Sequence, residues 1–223
     1  MQHKLPRRGY MPPKPKFDKS EVIAAALEIA KERGIEAVTA REVGARLGCS
    51  TRPVFTYFSG MEELQSAVRD SASERFFEYL KIADGYSPAF KMRGMQMIKF
   101  AQDEPKLFQF LFMTDNGEEN FAEYIKSCIV GFEADADTIQ EIYHIDRSAV
   151  ETVFDQLWIY TYGMCVLCAT GACMFTQQET ASLLGKAFLG TLLLVKSGYS
   201  DKSDVIPMQN GSDDSIMLGR AAF

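Results

Sequence analysis

Residues 41–58, REVGARLGCSTRPVFTYF, constrain the fold more than any other stretch, because a helix-like run breaks at Gly48 and a second begins within three residues. Two helices joined by so short a turn are held at a fixed angle. That is the arrangement of a helix-turn-helix, in which the second helix lies in the DNA major groove and the first crosses the backbone. Ser50 is placed to cap the second helix, and Pro53 is tolerated in its first turn, where the missing amide has no intrahelical partner. Apolar Val54, Phe55 and Phe58 are expected to anchor this helix. Thr51, Arg52, Thr56 and Tyr57 are then left for its outer face.

The flanking sequence supplies the rest of a compact helical unit. Asp18 with Glu21 forms a capping-box pattern, Val22, Ile23, Ala26, Leu27 and Ala30 follow at helical spacing, and Gly34 ends the run. Thr39 with Glu42 repeats the box for the short helix that Gly48 terminates. Ser59 with Glu62 predicts a third box, opening a long fourth helix. With 223 residues, 47% of them hydrophobic, the chain is long enough to bury a sizeable core in one large domain or two small ones.

From Phe17 to Leu64 the sequence resembles the N-terminal DNA-binding domain of the TetR/AcrR family of transcriptional regulators. The resemblance is carried by IAAALEIAKERGIEAVTAREVGARLGCSTRPVFTYFSGMEEL, with its Thr at the start of helix two, its VGARLGCS turn and its YF…EEL run into helix four. It covers about 48 residues strongly, and the remainder only in general character. It implies an all-α protein: a three-helix DNA-binding head followed by a helical ligand-binding and dimerisation body. The expected division is a flexible basic arm at 1–16, the head at 17–64, the body at 65–198 and a flexible tail at 199–223.

Two positions depart from the family pattern. Phe55 stands where the family usually has Tyr and Met61 where it has Lys, both typically phosphate contacts, so the grip on phosphate must come from elsewhere. Thr39 and the amides after it can meet a phosphate oxygen, with Arg41, Ser50, Thr51, Arg52, Thr56 and Tyr57 completing the expected DNA-binding set. Arg52 is the first choice for base reading, since arginine pairs bidentately with guanine, although the sequence leaves a phosphate contact open. The proline-rich arm HKLPRRGYMPPKPK carries five Lys and Arg, suited to the backbone or the minor groove if it is not merely a solvated tail. Charge agrees with a head that meets a polyanion. Residues 1–52 hold 11 Lys and Arg against 6 Asp and Glu, whereas the rest holds 13 against 24, and the net charge is −6.

The body reads as helix throughout. Ser87-Pro88 and Pro105 open two helices, Phe121 to Phe132 forms another amphipathic stretch, and two long helices are expected at about Ser148–Thr170 and Gln177–Lys196. The resemblance implies an effector pocket in this body; Met97, Phe100, Phe108, Phe112, Trp158, Tyr162 and Met164 are the expected lining, with plain core as their alternative role. It also implies that the last two helices form a four-helix interface in a homodimer, with Ala181 and Gly185 permitting close approach.

Gln156 to Gln178 carries no charge and is long enough for a membrane span, but its threonines, tyrosines and glycines and its acidic flanks favour a buried helix. No secretory signal precedes the head, so a cytoplasmic protein is expected. Five cysteines without an export signal argue against a disulfide framework, and with His3 and His144 as the only histidines no metal site or other cofactor is expected. No glycine-rich phosphate loop, nucleophile elbow or histidine metal pair is present, so no enzyme activity is expected. The expected function is a one-component regulator, most simply a repressor, that binds double-stranded DNA at a palindromic operator and is released by a small, largely apolar effector. The alternatives are a helical ligand-binding protein whose head no longer reads DNA, for which Phe55 and Met61 speak, and a membrane-anchored helical protein.

Overall fold

The computed structural model describes residues 17–87, 89–114 and 132–198, and every regular element among them is helical. The basic arm, the stretch at 121–131, Cys128 and the tail lie outside the described residues. Helix α1 (Lys19–Arg33) is opened by the expected box: Asp18 accepts from the Glu21 amide and Glu21 accepts from the Asp18 amide, both at 2.8 Å. A short 3-10 turn leads to α2 (Ala40–Arg46) and then α3 (Arg52–Tyr57). Thr39 accepts from the Glu42 amide at 3.2 Å, but the Glu42 carboxylate turns to Arg33 at 2.5 Å, so only half of that box forms.

Helix α4 (Met61–Lys81) starts differently from the sequence expectation. Gly60 is its N-cap, and the Ser59 amide and hydroxyl both donate to Glu63 rather than Glu62, at 2.7 and 2.8 Å. Four residues separate Ser59 and Glu63 because the chain turns through Gly60 before the helix begins. The helix is about 31 Å long, and Leu64, Val68, Ala72, Phe76 and Leu80 form its buried stripe at four-residue spacing. That stripe makes one core of head and body: Ala26, Val43 and Val54 lie in the same buried cluster as Phe100, Phe108 and Cys165.

The body adds α5 (Phe90–Asp103), α6 (Pro105–Phe112), α7 (Phe132–Tyr143), α8 (Arg147–Ala169) and α9 (Gln177–Lys196). No side chain caps α5; it begins after Ala89 rather than at Ser87. The Thr176/Glu179 box opens α9 as expected. A second cluster of Ala136, Ile139, Val150 and Phe154 joins α7 to α8.

One ion cluster fastens the head to the body. Glu104, between α5 and α6 and only 2% exposed, receives Lys31 of α1 at 3.1 Å and a forked contact from Arg75 of α4, whose Nε lies at 2.8 Å. The pairing raises the Arg75 pKa above its ordinary value. Both cations reach water in part, which tempers the loss if their partner is neutralised. Glu104→Gln is therefore expected to destabilise the protein by about 2 kcal/mol, read as a lower denaturant midpoint at unchanged slope.

Candidate nucleic-acid interface and interior cavity

The turn between α2 and α3 is built from two glycines with different tasks. Gly48 adopts φ +64°, and its amide donates to Ala45 while the Cys49 amide donates to Gly44, at 3.1 and 2.9 Å. This pair of bonds is the Schellman motif, which closes the helix through a left-handed residue. Gly44 lies beneath the turn: a Cβ there would stand 2.8 Å from the Ser50 carbonyl oxygen and 2.9 Å from its carbon. The turn can fold down on α2 only because that atom is missing.

Helix α3 then presents a defined face. Val54 and Phe58 are buried and Tyr57 is half-buried, with its hydroxyl donating to the Phe17 carbonyl at 2.8 Å. Tyr57 thus fastens α3 to the start of α1 instead of standing on the outer face. Phe55, expected as an anchor, is 57% exposed. One residue round the helix from Val54 carries it off the packed side, and it joins Thr51, Arg52 and Thr56 in solvent. Thr51, not Ser50, is the N-cap residue and makes no side-chain cap; Ser50 is exposed, its hydroxyl 3.4 Å from the Arg52 amide. The Thr56 hydroxyl donates to the Arg52 carbonyl at 2.8 Å.

The head's cations divide into two sets. Arg33 is held by Glu42 at 2.5 Å and Arg46 by Glu32, with the closer contact at 2.5 Å; hydrogen bonds from these arginines lower the pKa of both carboxylates. Arg41 and Arg52 are exposed and make no ion pair among the described residues. Thr39 is exposed beside Arg41 at the start of α2. These unneutralised groups, with Thr51, Phe55 and Thr56, form a surface able to meet phosphate and base edges.

The body encloses a cavity of about 330 Å³. Phe76 and Leu80 of α4, Phe90, Lys91, Arg93, Gly94 and Met97 of α5, Ile139 and Tyr143 of α7, Leu157, Trp158 and Thr161 of α8, and Leu184, Gly185 and Phe188 of α9 line it. Of the residues expected to line a pocket, Met97 and Trp158 do. Phe100, Phe108, Phe112 and Met164 are buried in the main core instead, with Phe76 stacked edge-on against Phe100 and Phe112. Tyr162 packs against that core and donates from its hydroxyl to the Phe112 carbonyl at 2.7 Å. The α9 contributions were missed. Apolar periodicity marks Leu184 and Phe188 as inward but cannot show that they leave a void.

Helices α8 and α9 also share an exposed apolar face. Ile159, Tyr160 and Leu167 on α8 and Leu189, Leu193 and Leu194 on α9 are 38–64% exposed. Gly163 and Gly190 lie on the same face with open space where a Cβ would stand. Gly185, by contrast, turns inward to the cavity, and Ala181 is half-buried. Among the described residues no helix is long and apolar enough to cross a membrane. None of their His, Cys, Asp and Glu side chains form a group of three able to hold a metal ion. Burial pushes the Cys165 thiol well above its ordinary pKa, which leaves it a poor nucleophile.

The family profile described as "Bacterial regulatory proteins, tetR family" matches residues 22–68, the segment that builds the turn and α3. A curated relative, the HTH-type transcriptional repressor DrrR1 of Streptomyces coeruleorubidus, is 29% identical over 105 residues. That alignment takes in 47% of this chain and 38% of the relative, so the chain spans well under half the length of that protein. A TetR-like transcriptional regulator from Rhodococcus sp. RHA1 shares the fold with a TM-score of 0.60 at 18% identity, over 78% of this chain and 95% of that one. The N-terminal match and the shared helical architecture agree: residues 22–68 match the profile of the tetR family of bacterial regulatory proteins, and the fold over most of the chain is that of a TetR-like regulator.

Proposed function

We propose that the protein is a homodimeric transcriptional regulator, a repressor that reads a palindromic operator with α3 and is released by a small, largely apolar effector in the body cavity. The observation that carries this reading is the exposed face of α3, in which Arg52, Phe55 and Thr56 project from a helix held by the Gly44–Gly48 turn. Arg52 is assigned to a base edge, Thr39 and Arg41 to phosphate, and Ser50, Thr51 and Thr56 to the groove wall. Exposed Phe55 suits apolar contact with a thymine methyl. Tyr57 is assigned a positioning role through Phe17. The working division is a head of residues 17–64 on a body of residues 65–198.

The exposed apolar face of α8 and α9 supports dimerisation, because two copies related by a twofold axis bury the same patch on each other. The two α3 helices would then stand about 34 Å apart, one turn of B-DNA. The cavity can be linked to the head by two routes. Helix α4 lines the cavity with Phe76 and Leu80 and packs in the head with Leu64 and Val68. Helix α5 lines it with Met97 and leads to Glu104, which holds Lys31 of α1. An effector that fits better when these helices shift would favour a spacing unsuited to DNA.

The test is selection from random duplexes by the purified protein at fixed salt. Enrichment of a palindrome is the expected result; a folded dimer that enriches nothing would favour a ligand-binding protein without specific DNA recognition. On the selected operator, Arg52→Ala is expected to cost about 1–3 kcal/mol and to relax preference at one position of each half-site.

A further inference from the structure

The polar groups that line the cavity point to a class of ligand. This inference rests on the body cavity being the effector site. Its walls are mostly apolar, with Tyr143, Thr161 and the unpartnered indole N–H of Trp158 as neutral polar groups, and the formally charged residues that line it are two cations, Lys91 and Arg93. Arg93 is already neutralised, with its Nε 3.2 Å from Asp135 and its guanidinium 3.7 Å from Asp84. Lys91 makes no ion pair among the described residues. Its ammonium lies 3.6 Å from where a Cβ on Gly185 would stand, so it reaches across the α5–α9 seam.

Beside that seam is Thr161, a cavity-lining residue only 5% exposed whose hydroxyl makes no hydrogen bond among the described residues. Thr56, Thr152 and Thr191 within helices, and Thr170 at the end of α8, donate back to their own helix. Gly94 faces Thr161, and a Cβ there would lie 3.6 Å from its Oγ1 and 3.3 Å from Leu184. A cavity-lining hydroxyl with no protein partner is free to bond a ligand or water. Lys91, itself exposed, and Gly94 are one turn apart on α5, and both line the cavity together with Thr161 and Gly185.

We infer that the cavity binds a monocarboxylate with an apolar body, its carboxylate held by Lys91 and the Thr161 hydroxyl and its hydrocarbon lying among Phe76, Met97, Leu157 and Phe188. The only tryptophan in the chain, Trp158, stands in the cavity wall, so its fluorescence reports occupancy directly.

The experiment titrates the full chain with matched straight-chain carboxylates, primary alcohols and trimethylammonium salts of eight to about twelve carbons, following Trp158 emission. Carboxylates are expected to bind about tenfold tighter than the alcohols, with the cations weakest. Lys91→Met should remove most of that preference, and Thr161→Val should reduce it further without unfolding the body. Equal binding of acid and alcohol, preference for the cation, a preference that survives Lys91→Met, or no response to any member of the series would each overturn the inference. A carboxylate that binds through Lys91 yet leaves the operator complex intact would uphold the ligand class and defeat release by effector.

Discussion

Replacing Gly44 with valine is expected to weaken operator binding roughly a hundredfold or more while the body keeps its helix content and its cavity. The new Cβ would meet the Ser50 carbonyl group at under 3 Å and the Cys49 oxygen at 3.1 Å. These are backbone atoms of the turn, which cannot swing aside as a flexible side chain can. Either α2 and α3 separate or α3 tilts, and each outcome moves Arg52 and Phe55 off their register on the groove. Overpacking of this kind costs about 3 kcal/mol, which as lost affinity is about two decades. Gly48→Ala is the informative control. Nothing lies within 4 Å of its added Cβ, so the substitution meets only the strain of φ +64°, about 1 kcal/mol, and specific binding should persist. Operator titration of both variants, with circular dichroism for helix content, decides the matter. Wild-type affinity in Gly44→Val would mean that the turn does not aim α3.

Leu193→Arg is expected to give a folded monomer with operator affinity lowered by about a hundredfold or more. Leu193 is 58% exposed in the single chain, so the substitution disturbs no core. In a twofold interface the same change appears on both sides, placing two desolvated like charges in an apolar patch. Each head would then bind its half-site alone and lose the gain from linkage, commonly two to four decades. Sedimentation velocity gives the assembly state, and titration of full and half operators gives the coupling. A variant that remains dimeric would remove α9 from the interface.

The ends of the elements were legible because their determinants are neighbours in sequence. The box of Asp18 and Glu21, the Schellman turn at Gly48, and the box that begins Gln177–Lys196 each involve residues within about a turn and a half of one another. Local hydrogen bonding of backbone groups to one another and to nearby side chains settles them. The beginning of α4 shows the limit of such reading. Ser59 and Glu62 have the right spacing, but Gly60 takes the cap and Glu63 becomes the partner.

Which way a side chain faces on a short helix was not legible. Six residues of α3 hold too few apolar positions to define a stripe, and Phe55 and Tyr57 exchanged their expected places. Burying Tyr57 became favourable only because the Phe17 carbonyl, 40 residues away in sequence, accepts its hydroxyl. The cavity was hidden for a related reason. Apolar residues at helical spacing mark what faces inward, and this placed Met97 and Trp158 correctly on inner faces, but so were Phe100, Phe108 and Met164.

By itself, then, the sequence determined an all-helical chain, a helix-turn-helix head and the main helix boundaries, since capping, periodicity and glycine conformation act over a few residues. The tertiary structure alone decided which face of α3 is exposed, where space remains among five packed helices, and which polar groups line that space. Those properties depend on how side chains distant in sequence fill volume together, and no local pattern encodes that sum.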